Sequence, residues 1–424
     1  VGRPTDHPVT ATTCSLDEAL DALFSFAGER EAGHSSLEAM ARAMPLLGDP
    51  HERLRVIHIT GTSGKTSTSY YVQALLHAAG KRTGMTVSPH IQALNERVQI
   101  GGVPLEEGRF CAYTAEMLDR LGGLRGRLTF FELMVCLALW TFQSEGVEYA
   151  ILEVGIGGER DATNIVTRRD KVGLIGPVGL DHTEKLGDTV GQIAAQKAGI
   201  LASGGVGFVI DQGDEALDPI RAHADRIGAV LTVVDAQGVS WDSSLPAFQR
   251  GNWALASRAA SYLAERDGFP LPSQPVMDAL RSTSPPARYE WFETGGHRVL
   301  LDGAHNPQKM AGLVEAIRQD GLGPFPALAT LSSAPEGKVE QTLDHLAPVV
   351  SRLVIPEFVL GHDGKVKESM PASLVAEAAR RLGIPVRVVP DCRAGLDDLL
   401  ADPARDLLVT GSLYLAALVR PYLL

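Results

Sequence analysis

The run GTSGKTS, Gly61–Ser67, sets a Lys between a glycine and two hydroxyl residues. It follows the strand-like VIHIT of Val56–Thr60 and precedes a long helical pattern. Gly61 and Gly64 allow backbone conformations closed to other residues, so successive N–H groups can converge on one anion. A helix beginning near Lys65 or Thr66 adds the partial positive charge of its N-terminus. In such a loop Lys65 reaches terminal phosphates and the Thr66 or Ser67 hydroxyl approaches Mg²⁺. Thr62, Ser63, Gly64, Lys65, Thr66 and Ser67 are therefore candidate nucleotide contacts. The general pattern G-x-x-x-x-G-K-[ST] is not met, because Ile59 stands where its first glycine belongs. What remains is the tighter G-T-x-G-K-[ST]. Alone it specifies ATP or GTP, against the plainer alternative of a Gly/Ser-rich turn that happens to contain Lys.

Three further places could carry chemistry. In ILEVGIGGERDATN, Glu153 is expected at the C-terminal end of a buried strand, beside a glycine turn, where open α/β sheets bind ligands. A structural acid capping the next turn is the competing explanation. In GPVGLDHTEKLGDTV, Asp181 and His182 are expected directly after another strand. Mg²⁺ prefers oxygen ligands, which makes a His ligand unusual though chemically feasible. In QIAAQKAGIL, Lys197 sits among Ala and Ile on an expected helix over Ile193–Leu201. A buried Lys loses its charge readily and is open to covalent modification, while a surface Lys with a snorkelling stem is the ordinary case.

These residues need a scaffold, and the rest of the chain supplies one. Apolar β-branched runs (LRVIHIT, EYAILEVG, KVGLIGPVG, GVGFVID) alternate with helical stretches. Glycine-bounded strands separated by helices predict a mainly parallel sheet covered on both faces. The Ser/Thr/Pro cluster Ser282–Pro286 reads as a linker. Beyond it HRVLLDGAHNP, FPALATLSS, RLVIPEF, PVRVVPD and DLLVTGS predict a smaller α/β domain. The expected division is 1–284 and 285–424.

Bulk properties bound the function. A chain of 424 residues is too long for one ordinary core, and 45% hydrophobic with 21% charged residues describes a globular protein. The net charge of −12 argues against non-specific nucleic-acid binding. No apolar run suffices to span a bilayer, and VGRPTDHPVTATTC has no apolar signal core, so no membrane association or export is expected. Cys14, Cys111, Cys136 and Cys392 are scattered and read as reduced, mostly buried thiols of a cytoplasmic protein.

The ordered set GTSGKTS, SPHI, ERVQI, LTFFE, LEVGIGG, DATN, GLDHTEKLGDT, QKAGI, DGAHNP and GSLY resembles the folylpolyglutamate synthase/dihydrofolate synthase family, the folate branch of the Mur ligases. The likeness runs over nearly the whole chain. It implies a Mur-ligase-like P-loop domain and a smaller Rossmann-like C-terminal domain. The activity it implies is ATP-driven amide formation: a carboxylate is activated as an acyl phosphate and coupled to an amino acid, glutamate in the family. The acceptor would be dihydropteroate or a folate. Carried over to matching positions, the resemblance gives Ser63–Thr66 to the triphosphate and Ser88, Glu153 and His182, beside the Thr66 hydroxyl, to magnesium. Lys197 matches a lysine that becomes carbamylated and then ligates the metal. Asn252, Arg288 and Asp302 match nucleotide contacts, and His305 an active-site histidine. Thr129, Phe130, Phe131 and Asp161 fall where the family holds the pterin. ATP and Mg²⁺ are the implied cofactors, small carboxylic and amino acids the partners, and a monomer the implied state.

The chain departs from the family pattern in places. Thr66 stands where the folate branch usually has Gly, and Ser63 where it has Asn. GGERDATN puts Glu159 where Arg is normal, with Arg160 following beside the expected substrate pocket. Phe248-Gln249 replaces a His-Gln pair, and LATLSSAPEGKVEQ, with Ser332, Ser333 and Lys338, replaces the K-D-K-D turn that the family usually carries there. The segment between Ile200 and Gln249 is short. These positions concern the acceptor and the amino acid, so a Mur-type ligase acting on another acid or amine is a second reading. A nucleotide-binding module without ligase activity is a third.

Overall fold

The computed structural model describes residues 14–29, 35–238, 245–332, 337–362 and 365–424. The described residues of Val1–Ser240 and Gly251–Arg281 form one compact unit, and those of Trp241–Arg250 and Ser282–Leu424 a second.

The first unit is built on a sheet of eight strands: β1 (Arg55–Thr60), β2 (Thr83–Thr86), β3 (Gln99–Ile100), β4 (Val103–Pro104), β5 (Tyr149–Glu153), β6 (Val172–Ile175), β7 (Val206–Ile210) and β8 (Val230–Val234). Their spatial order is β4-β3-β2-β5-β1-β6-β7-β8. From β2 to β8 all pairings are parallel, and β3 and β4 add antiparallel edges. Strand β1 is buried from Val56 to Thr60, as a central parallel strand requires. It lies between β5 and β6, so the sheet changes direction of growth there, and the crevice at the carboxyl ends of these strands is where such sheets take ligands.

Helices follow from local signals. Lys65–Ala78 starts at Gly64, whose φ of 78° suits glycine. Phe130–Ser144 is apolar nearly all round and buried from Glu132 to Phe142, which marks it as a core helix. The helix carrying Lys197 runs over Val190–Ala198, not 193–201. A capping box between Thr189 and Gln192 starts it earlier, and Gly199 ends it. One apolar cluster joins Val56, Ala150 and Leu152 to the Phe130–Ser144 helix, and another joins Ile175 and Val209 to the helices Val190–Ala198 and Asp214–Ile227.

The second unit holds β9 (Glu290–Thr294), β10 (His297–Leu301), β11 (Phe325–Ala329), β12 (Val350–Pro356), β15 (Val386–Val389) and β16 (Asp406–Thr410), in the order β15-β12-β11-β16-β10-β9. All pair in parallel except β9 with β10. Strands β13 (Val359–His362) and β14 (Lys365–Glu368) form a separate hairpin. The short strands β2, β3, β4 and β8, the hairpin and β9 escape a reading based on long apolar runs. The four cysteines are free, with Cys111, Cys136 and Cys392 buried and Cys14 partly so. Among the described residues no helix is long and apolar enough to cross a membrane. Residues 1–13 and Ser333 lie outside the described residues.

Candidate active site

The phosphate loop leaves β1 and enters the Lys65–Ala78 helix as its residue types require. The first amide bond inside the helix is Thr68 N–H to Gly64 O at 2.8 Å, so the amides of the preceding turn have no helical acceptor. The Lys65 ammonium folds back on Gly61 O at 3.0 Å. Thr62 is turned away from that turn: its amide donates to Pro177 O at 2.8 Å, and its hydroxyl exchanges hydrogen bonds with Gly179 O and N at 3.0 and 3.1 Å. Thr62 thus ties the loop to the segment leading towards His182. A Cβ on Gly64 would come within 2.1 Å of Asn252 Oδ1, which places Asn252 directly against the loop. Asn252 is buried and lies 3.5 Å from Thr68 Oγ1.

Glu153 ends β5, in register with Ile59 of β1, and is buried. The Thr66 hydroxyl donates to its Oε1 at 3.0 Å. Two oxygen donors thereby meet beside a helix N-terminus, the donor chemistry that a hard dication accompanying phosphates needs. Ser88 follows β2, whose Thr86 pairs with Leu152 of β5, and its peptide to Pro89 is cis. The Ser88 segment is held by Glu96, whose carboxylate accepts from the amides of Ile91, Gln92 and Ala93 at 2.7, 2.9 and 3.0 Å. His182 does not follow directly on a strand: β6 ends at Ile175 and the segment Gly176–Asp181 intervenes. It is exposed, has a φ of 50° and lies 3.7 Å from Glu184 Oε1. Lys197 is buried at 3% exposure, against the snorkelling alternative. The glycine turn after Glu153 packs on the end of its helix, with Glu159 N–H bonded to Gln196 O at 2.8 Å. Among the described residues no group of three or more His, Cys, Asp or Glu is placed to hold a metal.

Thr129 caps the Phe130–Ser144 helix, its Oγ1 accepting from Glu132 N–H at 3.3 Å. Phe130 stacks on Phe24 at 4.7 Å with the Arg97 guanidinium 5.4 Å from its ring centre. Phe131 lies against Gly155, where a Cβ would approach its Cζ to 2.6 Å. Arg160 and Glu159 are exposed. Asp161 is buried and fully engaged: Oδ2 accepts from Gly155 and Ile156 N–H at 3.1 Å each, and Oδ1 from the amide and hydroxyl of Thr163 at 3.0 and 2.5 Å. Its desolvation raises its pKa against the lowering by these bonds.

In the second unit Asp302 is buried after β10 and accepts from Tyr289 and Ala304 N–H at 2.8 Å each. Burial raises its pKa and the Arg288 charge opposes that. Arg288 stands between Ala287 and Tyr289, which both have positive φ, 54° and 56°. Its Nη1 donates to Ala287 O at 2.9 Å. His305 donates from Nδ1 to Gly303 O at 2.7 Å, and its Nε2 accepts from Lys309 Nζ at 3.1 Å. The sequence reading missed His58, Thr60, Thr163 and Glu96. A signal existed for the first two: VIHIT carries polar residues two apart in an otherwise apolar strand.

A P-loop at the switch point of a mainly parallel sheet, with a carboxylate on the neighbouring strand end, is a nucleotide-binding arrangement, and residues 59–242 match the Mur ligase middle domain, which makes the protein an ATP-dependent ligase. The chain belongs to the folylpolyglutamate synthase/dihydrofolate synthase family. It is 30% identical to the dihydrofolate synthase/folylpolyglutamate synthase of Bacillus subtilis over 67% of this chain and 72% of that one. It is 29% identical to the folylpolyglutamate synthase of Lacticaseibacillus casei over 89% and 92%. E. coli FolC, solved in complex with DHPP and ADP, is 26% identical and superposes with a TM-score of 0.81, covering 97% of this chain and 98% of that one.

Proposed function

We propose that this ligase joins the amine of glutamate to the carboxylate of dihydropteroate or a folate at the expense of ATP. The observation that carries the reading is the Thr66–Glu153 contact beside the open first turn of the Lys65–Ala78 helix, in a chain whose relatives are named for these activities. A carboxylate oxygen of the acid attacks the γ-phosphorus, the bond to ADP breaks, and an acyl phosphate results. The amine nitrogen then attacks the acyl carbon, phosphate leaves, and the nitrogen loses a proton. Lys65 and the amides of Gly64, Lys65, Thr66 and Ser67 bind and orient the triphosphate, and Asn252 buttresses the loop. Thr66, Ser88, Glu153, His182 and a carbamylated Lys197 would hold Mg²⁺, which supplies charge neutralisation for the phosphates. Phe130, Phe131 and Thr129 flank the acid, with Asp161 shaping the adjacent turn and Arg160 at its rim. In 285–424, Arg288 and Asp302 correspond to the family's nucleotide contacts and His305 to its active-site histidine. A division at 284/285, a monomer and a cytoplasmic site go with this reading.

The test is ADP release with dihydropteroate or tetrahydrofolate plus glutamate, with the new amide read by mass. Product with either pterin is expected. Turnover on another acid with neither pterin would move the function to a paralogous ligase, the reading that Glu159 and Arg160 at the turn favour. ADP formed at full rate without acid and amine would overturn both.

A further inference from the structure

We infer that His58 is a positioning residue for the wall of the site that receives the acid, acting through Thr163 and Asp161; this rests on the ligase reading above. His58 lies in the middle of β1 and is fully buried. Its Nε2 is 2.7 Å from Thr163 Oγ1, and that hydroxyl gives its proton to Asp161 Oδ1 at 2.5 Å. A hydroxyl has one proton, so Thr163 can only accept from His58, and the ring proton sits on Nε2. Asp161 in turn receives the amides of Gly155 and Ile156, the turn directly after Glu153. Thr60, on the same face of β1, donates to Gly157 O at 2.7 Å. Strand β1 therefore pins the turn at two points, and the Phe131 ring lies on the first of them.

A histidine kept only for packing would not explain this arrangement. Among the described residues His58 Nδ1 is buried with no hydrogen-bond partner, a cost that an apolar residue at this position would avoid. What the imidazole supplies is a fixed donor at Nε2. Burial, reinforced by Lys171 while that group is charged, holds its pKa well below the usual range, so the neutral donor form persists through neutral pH.

Two measurements decide the inference. The first is ¹⁵N NMR of histidine-labelled protein between pH 5 and pH 8, which needs no substrate. A neutral, Nε2-protonated His58 throughout is expected; an Nδ1-protonated ring or titration near 6.5 would overturn the relay. The second is the KM for whichever acid supports wild-type turnover, compared with the KM for ATP. His58→Leu and Thr163→Val should raise the KM for the acid about tenfold, the loss of one buried hydrogen bond, and leave that for ATP within about twofold. Thr163→Ser, which keeps the hydroxyl, should restore the wild-type value. If His58→Leu does not fold, Thr163→Val against Thr163→Ser carries the comparison. Equal shifts in both KM values, or lower thermal stability with unchanged KM, would reduce His58 to a core residue. A wild type inactive on pterins but active on another acid would remove the folate assignment and leave the relay to be judged on that acid.

Discussion

The Thr66 hydroxyl donates to Glu153 Oε1 across 3.0 Å, joining the first turn of the phosphate-loop helix to the end of the neighbouring strand. Thr66 is one of the positions where this chain departs from the usual folate-branch loop, so the contact belongs to the version of the loop found here.

Removing that hydroxyl should therefore matter. Thr66→Ala leaves a buried carboxylate without one donor, and hydrogen bonds to charged groups are worth about 1.5–3 kcal/mol. A fall in kcat/KM for ATP of about ten- to a hundredfold is expected, with a raised Mg²⁺ half-saturation and an unchanged circular dichroism spectrum. Unaltered Mg²⁺ dependence would separate Thr66 from the cation. Chelation by EDTA should stop ADP release and added Mg²⁺ should restore it.

Lys197 is buried at the end of the helix on which the glycine turn packs. Lys197→Ala should lose turnover by more than about a hundredfold, keep its fold, and regain part of its activity with a small added carboxylate. Turnover near wild type in this variant would eliminate a carbamate role.

Gly64→Ala should be disabled for two independent reasons. Its Cβ would meet Asn252 Oδ1 at 2.1 Å, and its φ of 78° costs an L-residue about 1–2 kcal/mol. The double variant Gly64→Ala/Asn252→Ala relieves the clash alone, so nucleotide affinity measured by calorimetry should recover only in part. Full recovery would show that backbone strain is immaterial there.

Lys171 offers a pH test of stability. It is buried, donating to Asn164 Oδ1 and Val166 O at 3.0 and 2.6 Å, and burial pushes its pKa down from 10.5 to about 7. Above pH 7 the folded protein has released this proton while the unfolded chain keeps it to about 10.5, so folding gains stability as pH rises through that window. Between pH 7 and 9 the gain is about 2 kcal/mol relative to Lys171→Met, read from urea unfolding of both proteins. Parallel pH dependence in the two would refute it.

Much of this was legible locally. The strand–loop–helix of Val56–Ala78 and the strand end at Glu153 follow from period and glycine placement, because these signals act over a few neighbouring residues. The helix with Lys197 was shifted because the Thr189–Gln192 capping box outranks the apolar run that suggested Ile193. The hydroxyl of Thr62 could have faced a phosphate or Gly179; nothing within GTSGKTS distinguishes the two.

The sequence by itself determined that there is a phosphate loop, which strand ends offer oxygen donors, and to which ligase family the ordered motifs point. Only the tertiary structure decided that β5 and β6 flank β1, that Thr66 therefore meets Glu153, that Lys197 is buried, and that Asp161 turns inward to a relay from His58. The reason is the range of the forces. Backbone preference and side-chain period are set by adjacent residues, while strand neighbours and the partners of a buried polar group depend on pairing between segments some hundred residues apart, His58 and Thr163 among them.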